Sequence, residues 1–192
     1  MWSLALLVVL MAVLAFMVAV YSVHLPTTSF GSYATDLYTA KKLINDTLKS
    51  AAVYNDLNAF LAACNNITVA PPPGKLWPTT ARAVVYQVGG RTDAVCAFGS
   101  SRYAFYRIAA IVEKCSLATD WRGQRSYVAQ VKVYTDPLIL TDVGFSQLGH
   151  GLPAVGWYFN STYVYYYVPV NPLLPFYLED YPIRIELNCP IS

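Results

Sequence analysis

Histidine is almost missing from this chain: His24 and His150 are the only two. That leaves little material for imidazole catalysis or for a histidine-rich metal centre. Charge is scarce as well, at 12% of residues against roughly 25% in an ordinary soluble domain, with 13 basic and 11 acidic side chains giving a formal +2. No cluster of lysines and arginines is present to track a phosphate backbone, which argues against nucleic acid as a partner. No C-x-x-C pair, G-x-S-x-G, P-loop or H-E-x-x-H occurs. A copper site of the membrane-anchored cupredoxin kind needs cysteine and histidine together near the C-terminus, and only Cys189 stands there. The residues therefore predict a non-enzyme without cofactor or metal.

The first charged side chain is Asp36 and the first basic one Lys41. Ahead of them, MWSLALLVVLMAVLAFMVAVYSV (Met1 to Val23) holds only Ser3 and Ser22 as non-apolar residues. As a helix this run would measure about 35 Å, enough to cross a hydrocarbon layer of roughly 30 Å. It carries no basic flank of the kind that precedes a secretory signal or orients an anchor. The same segment also reads as a plain signal anchor.

After Pro26, the run Thr27, Thr28, Ser29 supplies cap candidates. Phe30, Tyr33, Leu37, Ile44, Leu48 and Ala51 then recur at helical spacing, which predicts an amphipathic helix over about 28–52. Tyr54, Leu57, Leu61 and Cys64 form a second stripe, with Asn55 or Asp56 as its cap. The prolines of VAPPPGKLWPTT mark an extended connector. Beyond it come β-like runs at Ala81–Val88, Ala94–Phe98, Tyr103–Val112, Ser126–Tyr134, Ala154–Phe159, Tyr163–Val170 and Ile183–Cys189, and Gly89-Gly90 reads as a hairpin turn. The predicted organisation is a hydrophobic and amphipathic helical part over 1–64, a connector over 65–80 and a β-rich head over 81–192. The class is α+β, a long N-terminal hydrophobic helix followed by a mainly antiparallel, sandwich-like head.

Sixteen tyrosines enrich the chain, four of them at Tyr163, Tyr165, Tyr166 and Tyr167, which puts rings on both faces of one strand. Cys64, Cys96, Cys115 and Cys189 predict two disulfides in an exported protein. The preferred pairing is Cys96 with Cys115 across a turn at Gly99-Ser100-Ser101, leaving Cys64 with Cys189; three connectivities are open. Asn45-Asp46-Thr47, Asn66-Ile67-Thr68 and Asn160-Ser161-Thr162 are N-glycosylation sequons, with Asn160 favoured for its turn position.

An uncharged apolar segment, an amphipathic helix and a β-rich head in that order resemble a type IV pilin, in particular the archaeal kind or its archaeal flagellin relatives. The departure is Ala5, where bacterial pilins usually carry a glutamate. The resemblance implies an extracellular homo-oligomeric filament whose subunits sit in the membrane before assembly and are delivered by pilus assembly machinery. Bundled apolar helices would form the core, with Ala5, Ala12, Ala15 and Ala19 letting neighbours approach closely. The alternative is a monomeric, signal-anchored surface protein with an extracellular binding domain.

Overall fold

The structure is a computed structural model, and it describes residues 30–67, 76–119, 123–136, 143–159 and 162–190. Met1–Tyr33 and Ala34–Ser192 form separate compact units. The expected apolar helix over Met1 to Val23, with Ala5, Ala12, Ala15 and Ala19, lies outside the described residues, and so does His24.

Two helices are described. Helix α1 (Phe30–Leu48) starts close to where the apolar spacing places it but stops four residues short of 52. The chain turns at Lys49-Ser50, and Ala52–Tyr54 becomes strand β1. Helix α2 (Leu57–Asn66) begins at Asp56, whose side chain accepts a 2.7 Å hydrogen bond from the Ala59 amide. This satisfies one of the orphan donors of the first turn, as an N-cap aspartate should.

Ten further strands follow: β2 (Thr80–Val88), β3 (Arg91–Ser100), β4 (Phe105–Thr119), β5 (Arg125–Asp136), β6 (Gly144–Gln147), β7 (His150–Leu152), β8 (Val155–Phe159), β9 (Val164–Val170), β10 (Phe176–Asp180) and β11 (Ile183–Leu187). They form a seven-stranded sheet in the order β1-β2-β3-β4-β5-β9-β8 and a four-stranded sheet in the order β11-β10-β6-β7. All pairings are antiparallel except β1 with β2. Gly89 and Gly90 close the β2–β3 hairpin with φ of 59° and 79°, the two positive values that a tight primed turn requires.

The class therefore needs correcting. The described residues are mainly β in two sheets, with helices of 19 and 10 residues. Among them no helix is long and apolar enough to cross a membrane. The sequence missed β1, β6, β7 and β10, short strands of three to five residues whose sequences AVY, GFSQ, HGL and FYLED show no clean period-two alternation.

The main core fills the space between the two sheets. Val95, Ala97, Ile108, Ala110, Val131, Val133 and Val168 from the large sheet meet Phe145, Phe176, Leu178, Ile183, Ile185 and Leu187 from the small one. Alternation in Ile183-Arg184-Ile185-Glu186-Leu187 buries the three aliphatic residues and leaves Arg184 and Glu186 exposed, as expected of a half-buried strand. Helix α1 seals the same face through Ala40 and Ile44. A Cβ built on Gly99 of β3 would lie 2.4 Å from the Ala40 carbonyl oxygen and 2.7 Å from Ile44 Cγ1, so the helix backbone rests directly on the strand. On the opposite face α2 presses Phe60 onto Val84, Ala94, Cys96 and Phe98, while Trp77 packs on Phe105 at 4.6 Å.

Candidate functional site

All four cysteines are paired, but not as preferred: the bonds are Cys64–Cys96 and Cys115–Cys189. The register explains the correction. Cys96 stands opposite Ala109, and Cys115 is six residues farther along β4, roughly 20 Å away at the usual strand rise. The turn between β3 and β4 is closed by Ser101 donating to the Ala104 carbonyl. A β-bulge between Val112 and Lys114 then shifts the alternation by one residue. Cys115 consequently joins Val112 and Ile108 on the inner face, where Cys189 is buried. Cys96 belongs to the outer face with α2, which supplies Cys64. Each face of the large sheet thus carries one disulfide.

The sequons are placed differently from one another. Asn45 is half-buried within α1, and the Thr47 hydroxyl of its sequon donates back to the Leu43 carbonyl at 2.7 Å. Asn66 is exposed at the last position of α2. Asn160, the favoured site, lies outside the described residues. His150 is exposed on β7.

One polar cluster is buried where α1 meets both sheets. Lys41 Nζ stands 2.6 Å from Asp180 Oδ1, with the two side chains 9% and 5% exposed. The Tyr106 hydroxyl donates to the other carboxylate oxygen, and the Lys41 ammonium sits 4.7 Å from the Tyr106 ring centroid. Burial, and next the Asp180 charge, push the Tyr106 phenol far above its ordinary pKa, which keeps it a neutral donor. The sequence reading missed this cluster. The signal was a lysine four residues after Leu37 and three before Ile44, on the apolar stripe of α1.

The outer face over β4, β5 and β9 has no helix on it among the described residues. It is a layer of aromatic rings and cations, with Arg107 4.6 Å from the Tyr134 ring and Lys132 4.0 Å from that of Tyr163. Arg107 also pairs with Asp136 at 3.0 Å. Tyr166, on the alternate face of β9, turns inward onto Phe145 at 5.3 Å.

A cleft of about 410 Å³ lies between the C-terminal end of α1, strands β1 to β3 and the small sheet. Its lining is mixed, with Leu48, Val53 and Val85 beside Asn45, Gln87 and Thr92. Arg184 crosses its rim, 3.9 Å over the Tyr177 ring, with Lys49 and Glu186 nearby. Among the described residues no three His, Cys, Asp or Glu side chains converge to hold a metal ion. Comparison with known proteins finds no matching family model, no similar curated sequence and no matching solved structure.

Proposed function

We propose that this chain is a non-catalytic structural subunit of an extracellular, type IV pilus-like filament. The apolar segment Met1 to Val23 is the part buried in the polymer, and the β unit is the head outside it. The observation that carries the reading is the pair of disulfides in the head, one on each face of the large sheet. Two such bonds belong to an oxidising compartment, and in this chain they stand downstream of 23 residues with no charge. That combination supports export; membrane residence before assembly and delivery by assembly machinery are part of the proposed reading. Packing between apolar segments, not their transfer from lipid, has to hold the polymer together, since lipid is as apolar as they are.

Electron microscopy of surface material sheared from the native cells tests the reading. Filaments that bind an antibody against the head are expected. Ala15→Trp keeps the segment apolar and is expected to abolish them while the subunit still reaches the membrane. If the wild-type chain is recovered only as dispersed, detergent-soluble monomers, the subunit reading fails. The cleft then favours the second reading, a monomeric surface-anchored binding protein.

A further inference from the structure

The ammonium of Lys41 and the carboxylate of Asp180 come from parts of the chain 139 residues apart and meet at 2.6 Å. Water is almost excluded from both, since the side chains are 9% and 5% exposed. Ala40 and Ile44 beside Lys41 on α1, and Leu178 two residues before Asp180 on β10, are fully buried. The ion pair of Lys49 with Asp46 is of the ordinary kind, 3.8 Å long with side chains 77% and 58% exposed.

In water an amine and a carboxylic acid do not join readily, because both ionise, both are hydrated and they must first be brought together. The fold removes each obstacle. A buried ion pair has given up its hydration, so a reaction that consumes both charges relieves that cost. Helix α1 and strand β10 hold the two groups in contact, and groups held in this way react with effective molarities of about 10⁵ to 10⁸ M. A third group completes the arrangement. Tyr106, 0% exposed, donates its hydroxyl to the second carboxylate oxygen, Oδ2. Burial keeps that phenol protonated, so it remains a donor while charge develops on the oxygen it touches.

We propose that Lys41 and Asp180 condense into an intramolecular isopeptide bond, which joins α1 to the small sheet covalently. A proton passes from Lys41 Nζ to Asp180 Oδ1, leaving an amine and a carboxylic acid. The Nζ lone pair attacks Cγ, and the tetrahedral intermediate carries its negative charge on Oδ2 under the Tyr106 hydroxyl. A second proton moves from Nζ to Oδ1, the Cγ–Oδ1 bond breaks and one water departs. The product is a neutral amide whose carbonyl oxygen, Oδ2, still accepts from Tyr106. Ammonium and carboxylate become amide and water, so no oxidant or other reactant is required. The bond lies within one chain and does not rest on the filament reading.

The test uses the full chain in detergent, produced without glycans, and reads its intact mass. Folded protein is expected to be one water lighter than the chain with its two disulfides formed. After reduction, an aspartate-specific protease should release residues 36–45 joined through Lys41 to the peptide that carries Asp180. Lys41→Arg keeps the cation and should restore the full mass. Tyr106→Phe removes the donor and should slow the loss of water by about 100-fold, followed by mass as unfolded chain refolds. Should either variant fail to fold, the wild-type mass and the branched peptide decide alone.

Folded wild-type chain at the full oxidised mass would overturn the inference and leave an ordinary buried ion pair. A missing water that persists in Lys41→Arg, or that maps outside this pair, would overturn it too, because an aspartate closing on its own backbone also expels water. Bond formation at the wild-type rate in Tyr106→Phe would overturn the part assigned to Tyr106.

Discussion

The two faces of the large sheet share one backbone ladder and have different solvents. On the inner face Val95, Ala97, Ile108, Ala110 and Val131 are at most 2% exposed. They lie under helix α1 and the small sheet, and the ion pair of Lys41 with Asp180 is enclosed among them. On the outer face α2 covers β2 and β3, and the rest is finished with Tyr134, Tyr165 and Tyr167 beside Arg107 and Lys132. The inner face shows what a fully dry layer demands, which is small or aliphatic side chains and a partner for every charge. The outer face shows how tyrosine and a cation finish a layer that stays in contact with water, the ring covering apolar area while the hydroxyl and the charge remain solvated.

Removing one disulfide from each face gives the largest contrast. Cys115–Cys189 closes a 74-residue separation and Cys64–Cys96 one of 32. Loop entropy alone makes the losses about 4.5 and about 3.7 kcal/mol. Chemical denaturation of the two double-alanine variants should rank them in that order. Each bond joins a half-buried cysteine to a buried one, Cys64 to Cys96 (1% exposed) and Cys115 to Cys189 (3% exposed), so the ranking rests on loop length, and equal losses in the two variants would break it.

A smaller effect is expected from the glycines. Gly99→Ala drives a methyl into the backbone of α1 and should destabilise the protein by about 2 kcal/mol. Gly156→Ala, whose new Cβ would find its nearest neighbour at 3.5 Å, should change the melting temperature little. Equal losses at both positions would mean that α1 does not rest on β3 as described.

The smallest effect concerns Asp93, the extra residue of a bulge in β3, which is 5% exposed. Its Oδ1 has no hydrogen-bond partner among the described residues. Burial raises its pKa above the ordinary carboxylate value, with Arg91 opposing. The folded state then binds a proton more tightly than the unfolded chain. Stability falls as pH rises from the ordinary value through the raised one, and the loss persists at neutral pH. Asp93→Asn should abolish that fall and stabilise the protein at pH 7 by about 1 kcal/mol, measured by urea titration at several pH values. A variant whose stability keeps the same pH slope would move the titration to another group.

Much of the head was legible residue by residue. The spacing of Leu37, Ile44 and Leu48 marked α1, the pair Asn55 and Asp56 marked the start of α2, and the Gly89-Gly90 pair marked a hairpin. Long strands rich in valine and tyrosine gave themselves away. The pairing of cysteines was not legible, because a single bulged residue at Glu113 decides which face Cys115 occupies, and nothing in the local sequence marks a bulge. The buried cluster escaped for a related reason. Lys41, Tyr106 and Asp180 are far apart in sequence and meet only once two sheets and a helix have packed, so only the misplaced charge on the stripe of α1 hinted at it. The cleft likewise draws on α1, five strands and both sheets.

The seat of α1 on Gly99 and its buried bridge to Asp180 have a mechanical consequence. Tension applied to the chain ahead of Ala34 enters the head through this helix. It cannot peel the helix away one contact at a time, since Lys41 grips β10 of the small sheet while Ala40 and Ile44 are wedged on β3 of the large one. The load is divided between both layers at one level. The Cys115–Cys189 bond then couples β4, the neighbour of β3, to the chain beyond β11, the neighbour of β10, so the two layers that share the load are also joined covalently one strand away from where it enters.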